Sequence, residues 1–234
     1  MPPELQPVRA GSLSTQAFGV IRDAIFSGQI KPGEALRELY LARSLQVSQA
    51  TIREALAQLE SAGLVVRHAN RRTSVTSFTR EEVADRLQLR ILLEEHAAAE
   101  AAARAGRAEL AVLAGHAEEI AAAIEAGDHY EHVQADIRFH RVIWTLTGSP
   151  ILSQTLDQLT TPLFAFLAVL HHATERPLQA TRSHERIVKA LRAKVESRIR
   201  TEIRAHIEGS YAEFLTSPAR TLGAFVSGDP AKTE

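Results

Sequence analysis

The sequence predicts a mainly α protein, with an N-terminal winged helix-turn-helix followed by a C-terminal all-α antiparallel bundle of about six helices. Three observations predict it. Between residues 36 and 76, two short helical stretches precede two β-rich ones joined by a polar link. From Thr79 to about residue 216 the chain is alanine-rich, and its apolar residues recur at helical spacing. Glycine and proline mark several joints of that region, at Gly106, Gly127, Gly148-Ser149-Pro150 and Arg176-Pro177. With 234 residues, 45% of them apolar, the chain is long enough to bury substantial cores.

The elements follow in order. Residues 1–11 read as a loose arm. From Ser12 to Ser27, Leu13, Ala17, Val20, Ile21, Ala24 and Ile25 keep helical spacing, and Gly28 with Lys31-Pro32-Gly33 ends that helix in a turn. Glu38 to Leu45 is a short second helix. Val47-Ser48 breaks it, with Ser48 as N-cap of a third helix from Gln49 to Ser61 that Gly63 terminates. Leu64-Val65-Val66 and Thr73-Ser74-Val75 make a hairpin, or wing, with Asn70 in the polar link. Thr79 followed by Glu81 and Glu82 starts the bundle. Its helices are expected at 79–104, 107–126, 128–147, 150–171, 177–193 and 195–216, with a kink at Pro162. The expected units are residues 1–78, residues 79–216 and a flexible tail at 217–234.

Net charge is −1, but residues 1–78 carry 9 basic and 6 acidic side chains, against 18 and 22 in the remainder. The excess is too mild to argue for nucleic acid alone, though it puts the basic part first. Cysteine is absent, so no disulfide exists and a metal site must use nitrogen and oxygen ligands. No signal peptide or membrane-spanning apolar stretch is recognisable, so a soluble cytoplasmic protein is expected.

The third helix carries Ile52, Ala55, Leu56 and Leu59 on one face, while Ser48, Gln49, Thr51 and Arg53 lie elsewhere near its N-terminal end. A recognition helix needs an apolar anchor plus short polar groups and an arginine that reach bases and phosphates. The wing adds Arg67, His68, Arg71 and Arg72, and arginine suits a narrow minor groove. The same spacing also fits an ordinary helical domain with solvated arginines. Residues 24–75, AIFSGQIKPGEALRELYLARSLQVSQATIREALAQLESAGLVVRHANRRTSV, resemble the winged helix of the GntR family. The resemblance implies operator contacts by Arg53, supported by Ser48 and Thr51 and by the wing. Arg37, Gln49, Asn70, Arg71 and Arg72 are further expected DNA-binding residues, although Arg72 stands where the family usually has glycine. Gln49 stands where the family usually has arginine, and glutamine can read adenine bidentately.

A second set lies downstream. Asp136 and His140 are one helical turn apart on a face with Val133, Ile137, Ile143 and Trp144. His184 shares a stripe with Ile187, Val188 and Leu191, and His206 one with Ile199, Ile203, Ile207 and Phe214. Buried imidazoles and carboxylates need partners. One metal ion would satisfy all four, and so would separate core hydrogen bonds or a local Asp–His ion pair. A rival ladder of His132, Asp136 and His140 is weaker, because His132 is expected to be exposed. His96, His116, His171 and His172 read as structural or surface residues. Arg90 and Glu94 fall on an inward stripe with Leu87, Ile91 and Ala98, as a buried salt bridge or as cavity-facing groups.

The C-terminal region resembles the FCD ligand-binding domain of the FadR subfamily of GntR regulators, through RILLE from Arg90, DIRFH from Asp136, TGSP, SHERIVKAL around His184 and RAHI near the end. The resemblance implies that Asp136, His140, His184 and His206 bind a divalent metal, zinc first and nickel, iron or manganese otherwise. It also implies that an organic acid ligates that metal; if Arg90 faces the cavity, its planar guanidinium suits the effector carboxylate, and Arg90 and Glu94 are the expected effector-binding residues. Two other function classes fit the residues less well. A metal-dependent hydrolase would leave the winged helix unexplained and lacks HExxH. A constitutive DNA-binding protein would leave the four inward ligands unexplained. The expectation is a homodimeric, non-enzymatic transcriptional regulator, a repressor, that binds double-stranded operator DNA and senses a small carboxylate.

Overall fold

A computed structural model describes residues 12–69, 72–174 and 182–216. The arm, the tail, Asn70, Arg71, the side chains of His171 and His172 and the expected helix start at residue 177 lie outside the described residues. The N-terminal half holds α1 (Leu13–Phe26), β1 (Ala35–Leu36), α2 (Glu38–Leu45), α3 (Gln49–Ser61), β2 (Val65–Arg67) and β3 (Thr73–Val75). Then come α4 (Arg80–Arg104), α5 (Arg107–Glu125), α6 (His129–Leu146), α7 (Pro150–Thr174), α8 (Ser183–Ala193) and α9 (Glu196–Thr216).

Helix α1 begins where the Ser12 side chain accepts from the Thr15 amide, and it packs Ala17, Ile21, Ile25 and Phe26. These meet α3, whose Ile52, Ala55, Leu56 and Leu59 are fully buried. Helix α2 stops at Gln46, which adopts the left-handed conformation, and the Ser48 side chain caps α3 by accepting from the Thr51 amide. The sheet has three antiparallel strands in the order β1-β3-β2 where the sequence suggested a hairpin. The two-residue β1 is too short to carry a periodic signal. The Lys31-Pro32-Gly33 turn delivers it to β3, and the Val75 amide donates to the Glu34 carbonyl at 2.9 Å.

Helix α4 opens with a reciprocal capping box between Thr79 and Glu82. Its buried Ala97, Ala98 and Ala101 allow neighbouring helices to approach closely, and α9 lies along it. Among the described residues the observed helix ends fall within a few residues of those expected from sequence, because capping residues and glycines set them. Helix α7 continues through Pro162, which cannot donate to the Gln158 carbonyl. Gly63 closes α3 against that spot. Its φ is +72°, and an added Cβ would lie 3.2 Å from Pro162 Cγ.

That contact belongs to a larger seam. Pro162, Ala165, Phe166 and Val169 of α7 face Ile25, Leu64 and Val75 of the winged half across a small apolar crevice. Phe166 also meets Phe78 edge-on, with centroids 5.7 Å apart. On the other side of α1, the Tyr130 hydroxyl donates to Asp23 at 2.8 Å.

Candidate metal centre and DNA-reading surface

Three helices bring Asp136 and His140 (α6), His184 (α8) and His206 (α9) together in the interior of the bundle. All four are buried, and one ligand atom from each lies within 4.8 Å of every other. His140 Nε2 is 3.1 Å from His206 Nε2 and 3.5 Å from Asp136 Oδ1, and His184 Nε2 is 2.7 Å from the same oxygen. A divalent ion with bonds of ordinary length holds neighbouring ligand atoms about 3.0–3.4 Å apart; the His140–His206 and His140–Asp136 spacings are close to that, and the 2.7 Å His184–Asp136 contact is a hydrogen bond that would lengthen around an ion.

The surroundings aim the rings. Glu94 Oε2 accepts from His140 Nδ1 at 2.6 Å, which leaves Nε2 facing the cluster. Ser183 Oγ lies 3.0 Å from His206 Nδ1 and turns that ring the same way. Such outer contacts, a carboxylate behind a histidine above all, are what orient imidazole ligands in metal sites.

Electrostatics suit the same donor set. Burial raises the Asp136 carboxyl, but hydrogen bonds from His140 and His184 outweigh it and hold the group ionised, well below its usual range. Burial, with the nearby His184 and His140 charges, pushes His206 well below its ordinary value and keeps it neutral. Burial also disfavours charge on His140, yet Glu94 and Asp136 prevail and raise it to about 9.

Arg90 and Glu94 form a buried ion pair, Nε to Oε1 at 2.6 Å, with both side chains essentially inaccessible. Burial opposes ionisation of Glu94, but His140 and Arg90 lower it to about 2. The Arg90 guanidinium lies over the Phe164 ring, 4.6 Å from its centroid, and Nη2 is 3.4 Å from His140 Nε2. Phe164 also packs 5.8 Å from the His140 ring.

Ser183 and Tyr211 escaped the sequence reading, and Trp144 entered it only as part of the buried face of α6. Ser183 directly precedes His184, but only the helix packing turns it toward His206. Fully buried Tyr211 lies beside Arg90, and Trp144 is buried one turn beyond His140; the Trp144 indole N–H has no acceptor among the described residues. No periodic signal separates either ring from core. His132 was expected at the surface and is instead buried, because α6 lies with that face against its neighbours; it stands outside the four-residue cluster.

On the winged half, Arg37, Ser48, Gln49, Arg53 and Arg72 are exposed and Thr51 is half-buried. Ser48 and Thr51 share a 2.9 Å side-chain hydrogen bond at the start of α3. Arg53 Nε donates to Glu38 at 2.8 Å, and Arg67 of β2 donates to the Arg53 carbonyl at 3.2 Å.

A three-stranded winged helix docked on an all-α domain defines a DNA-binding transcriptional regulator. Residues 13–75 match the bacterial regulatory proteins of the gntR family, and residues 85–209 match the FCD domain. The chain therefore belongs to the GntR family of regulators and carries an FCD domain. The HTH-type transcriptional regulator YdhC of Bacillus subtilis is 29% identical over 193 residues, spanning 82% of this chain and 86% of that protein. The Glc operon transcriptional activator of Escherichia coli is 27% identical over 210 residues, spanning 80% and 83%. In fold, the chain is similar to E. coli McbR/YncC, with a TM-score of 0.76 at 23% identity over 86% of this chain and 96% of that one. The two sequence relatives are named as regulators of transcription, and the chain is a regulator rather than an enzyme. Among the described residues no helix is long and apolar enough to cross a membrane.

Proposed function

We propose that this protein is a ligand-responsive repressor whose FCD domain holds one divalent metal through Asp136, His140, His184 and His206 and senses a small organic acid. The observation that carries the reading is the convergence of those four buried side chains, with two of the rings turned inward by Glu94 and Ser183. Zinc suits three imidazoles and a carboxylate best, with nickel, iron or manganese as other occupants. When bound, the metal supplies a Lewis-acidic point for a carboxylate oxygen. Arg90 contributes a buried guanidinium beside the cluster, suited to an anion. Glu94 is better assigned to holding His140 and Arg90 than to touching the effector. Both of its oxygens are engaged, and its charge would repel an acid.

The division into residues 1–78 and 79–216 is supported by the two family matches, which fall on either side of it. A homodimer through the helical domains would present two winged helices to a pseudo-palindromic operator. The DNA contacts fall to Arg53, Gln49, Ser48, Thr51 and Arg37, with Arg72, Asn70 and Arg71 from the wing.

Coupling needs an element that both sites bias. The Ser77-Phe78-Thr79 linker is one, and α7 is a stronger one. Phe164 lies under Arg90 and beside His140, while Pro162, Ala165, Phe166 and Val169 in the same stretch press on the winged half.

The test combines metal analysis with a screen of organic acids for release of promoter DNA by the zinc-loaded protein. Release that is lost in His140→Ala and His184→Ala supports the reading. Release that survives in metal-free variants contradicts it. An acid that tightens DNA binding would contradict ligand-driven release, and a promoter reporter would then decide between co-repression and the activation for which the E. coli relative is named.

A further inference from the structure

The recognition helix carries an arginine that is already held. Arg53 projects from the second turn of α3 with its side chain 61% exposed, yet its Nε donates to Glu38 Oε2 at 2.8 Å. Glu38 comes from the first turn of α2, fifteen residues earlier. Gln49 Oε1, one turn back on α3, lies 3.5 Å from Arg53 Nη2 on the same guanidinium. The backbone beneath is pinned as well, because Arg67 donates to the Arg53 carbonyl and pairs with Glu60 at 3.2 Å.

A carboxylate on this surface is unfavourable in itself. Duplex DNA presents roughly one negative charge per 1.7 Å of axis, and any acid close to it is repelled. Glu38 also cannot strengthen the fold much as half of an exposed ion pair, which is worth about 0–1 kcal/mol. What the pair does have is direction. A guanidinium presents two donor edges, and Glu38 occupies the Nε side. Gln49 lies 3.5 Å from Nη2 beside it, so the guanidinium plane is set by both side chains, and its Nη groups are then presented for guanine O6 and N7.

We propose that Glu38 is a positioning residue for sequence readout: it orients Arg53 for a base edge and withholds it from the phosphates. This rests on the assignment of Arg53 as a DNA contact. Free of Glu38, the flexible side chain would find phosphate oxygens in any sequence. The ion pair thus lowers non-specific binding and raises discrimination by the same contact.

The experiment uses the full-length protein and a random-sequence duplex library. Duplexes selected by the wild type are sequenced, and the consensus duplex and a shuffled one are then titrated across a salt series. Wild type, Glu38→Gln, Arg53→Ala and the double variant are compared. Glu38→Gln is expected to bind the shuffled duplex at least as tightly as wild type, with a salt slope steeper by about one. Its consensus-to-shuffled ratio should fall about tenfold, within the range of one bidentate base contact. Selection with Glu38→Gln should lose preference at one base pair per half-site. In the double variant, removing Glu38 should change the ratio no further than Arg53→Ala alone.

A Glu38→Gln protein that keeps the wild-type ratio, slope and consensus overturns the proposal, whatever its melting temperature, since a merely structural role would move only the last. If Arg53→Ala also leaves the consensus intact, the assignment of Arg53 itself fails. If only Arg53→Ala changes it, the role of Glu38 fails alone.

Discussion

Glu94 is the residue whose replacement tests the site most sharply, because it is not one of the four proposed metal ligands yet orients one of them. Its carboxylate is fully buried and accepts from Arg90 Nε and from His140 Nδ1, each at 2.6 Å. Glu94→Gln preserves the shape but has one acceptor oxygen for two donors. Either His140 loses its anchor or Arg90 faces an amide N–H. Two consequences follow. Loss of the carboxylate behind a metal-bound histidine weakens metal binding about 10–100-fold. Leaving the buried Arg90 charge without its partner costs about 3–5 kcal/mol of stability. Chelator competition gives the first quantity, and thermal melting of metal-free and zinc-loaded protein gives the second. Glu95→Gln is the control. Glu95 is the next residue on α4, also largely buried, and pairs with Arg204 at 2.8 Å away from the cluster. It should cost stability and leave metal affinity unchanged. A folded Glu94→Gln protein with wild-type zinc affinity would refute the orientation argument.

Other expectations concern the seam, the caps and the glycine. Phe166→Leu removes buried ring volume and should cost about 1–2 kcal/mol, while keeping zinc and effector affinity and blunting effector-driven DNA release; unchanged release would remove α7 from the coupling path. Gly63→Ala meets a φ of +72° and a Pro162 contact of 3.2 Å, so about 1–2 kcal/mol should be lost in denaturant unfolding, and a neutral result would mean the seam is loose. Ser48→Ala removes the α3 cap and should cost about 1 kcal/mol by thermal melting. Its DNA affinity should fall too, measured by fluorescence anisotropy on promoter DNA, and undiminished binding would show that Ser48 only caps.

The elements that sequence foretold are those written locally. Helices α1 to α9 follow from apolar residues at 3.6-residue spacing and from capping residues such as Ser12, Ser48 and Thr79. The four clustered ligands were legible because each is a polar residue on an otherwise apolar stripe, and the shared resemblance joined them. What was not legible depends on how helices turn against one another. The burial of His132, the reach of Ser183 to His206 and the grip of Glu94 on His140 all cross between helices at long sequence separation. So does the Glu38–Arg53 pair, whose members are separately unremarkable exposed charges. Strand β1 was missed for the opposite reason, since two residues carry no period at all.

The central claim is that the buried Asp-His cluster is a metal site through which the helical domain senses its ligand. Elemental analysis of protein purified without chelators, beside Asp136→Ala and His206→Ala, tests it most directly. The account predicts about one divalent ion per chain, lost in both variants while the helical circular-dichroism signal persists. Wild-type protein that folds without metal and takes up none from added zinc would contradict it, and would leave the cluster as a hydrogen-bonded polar core.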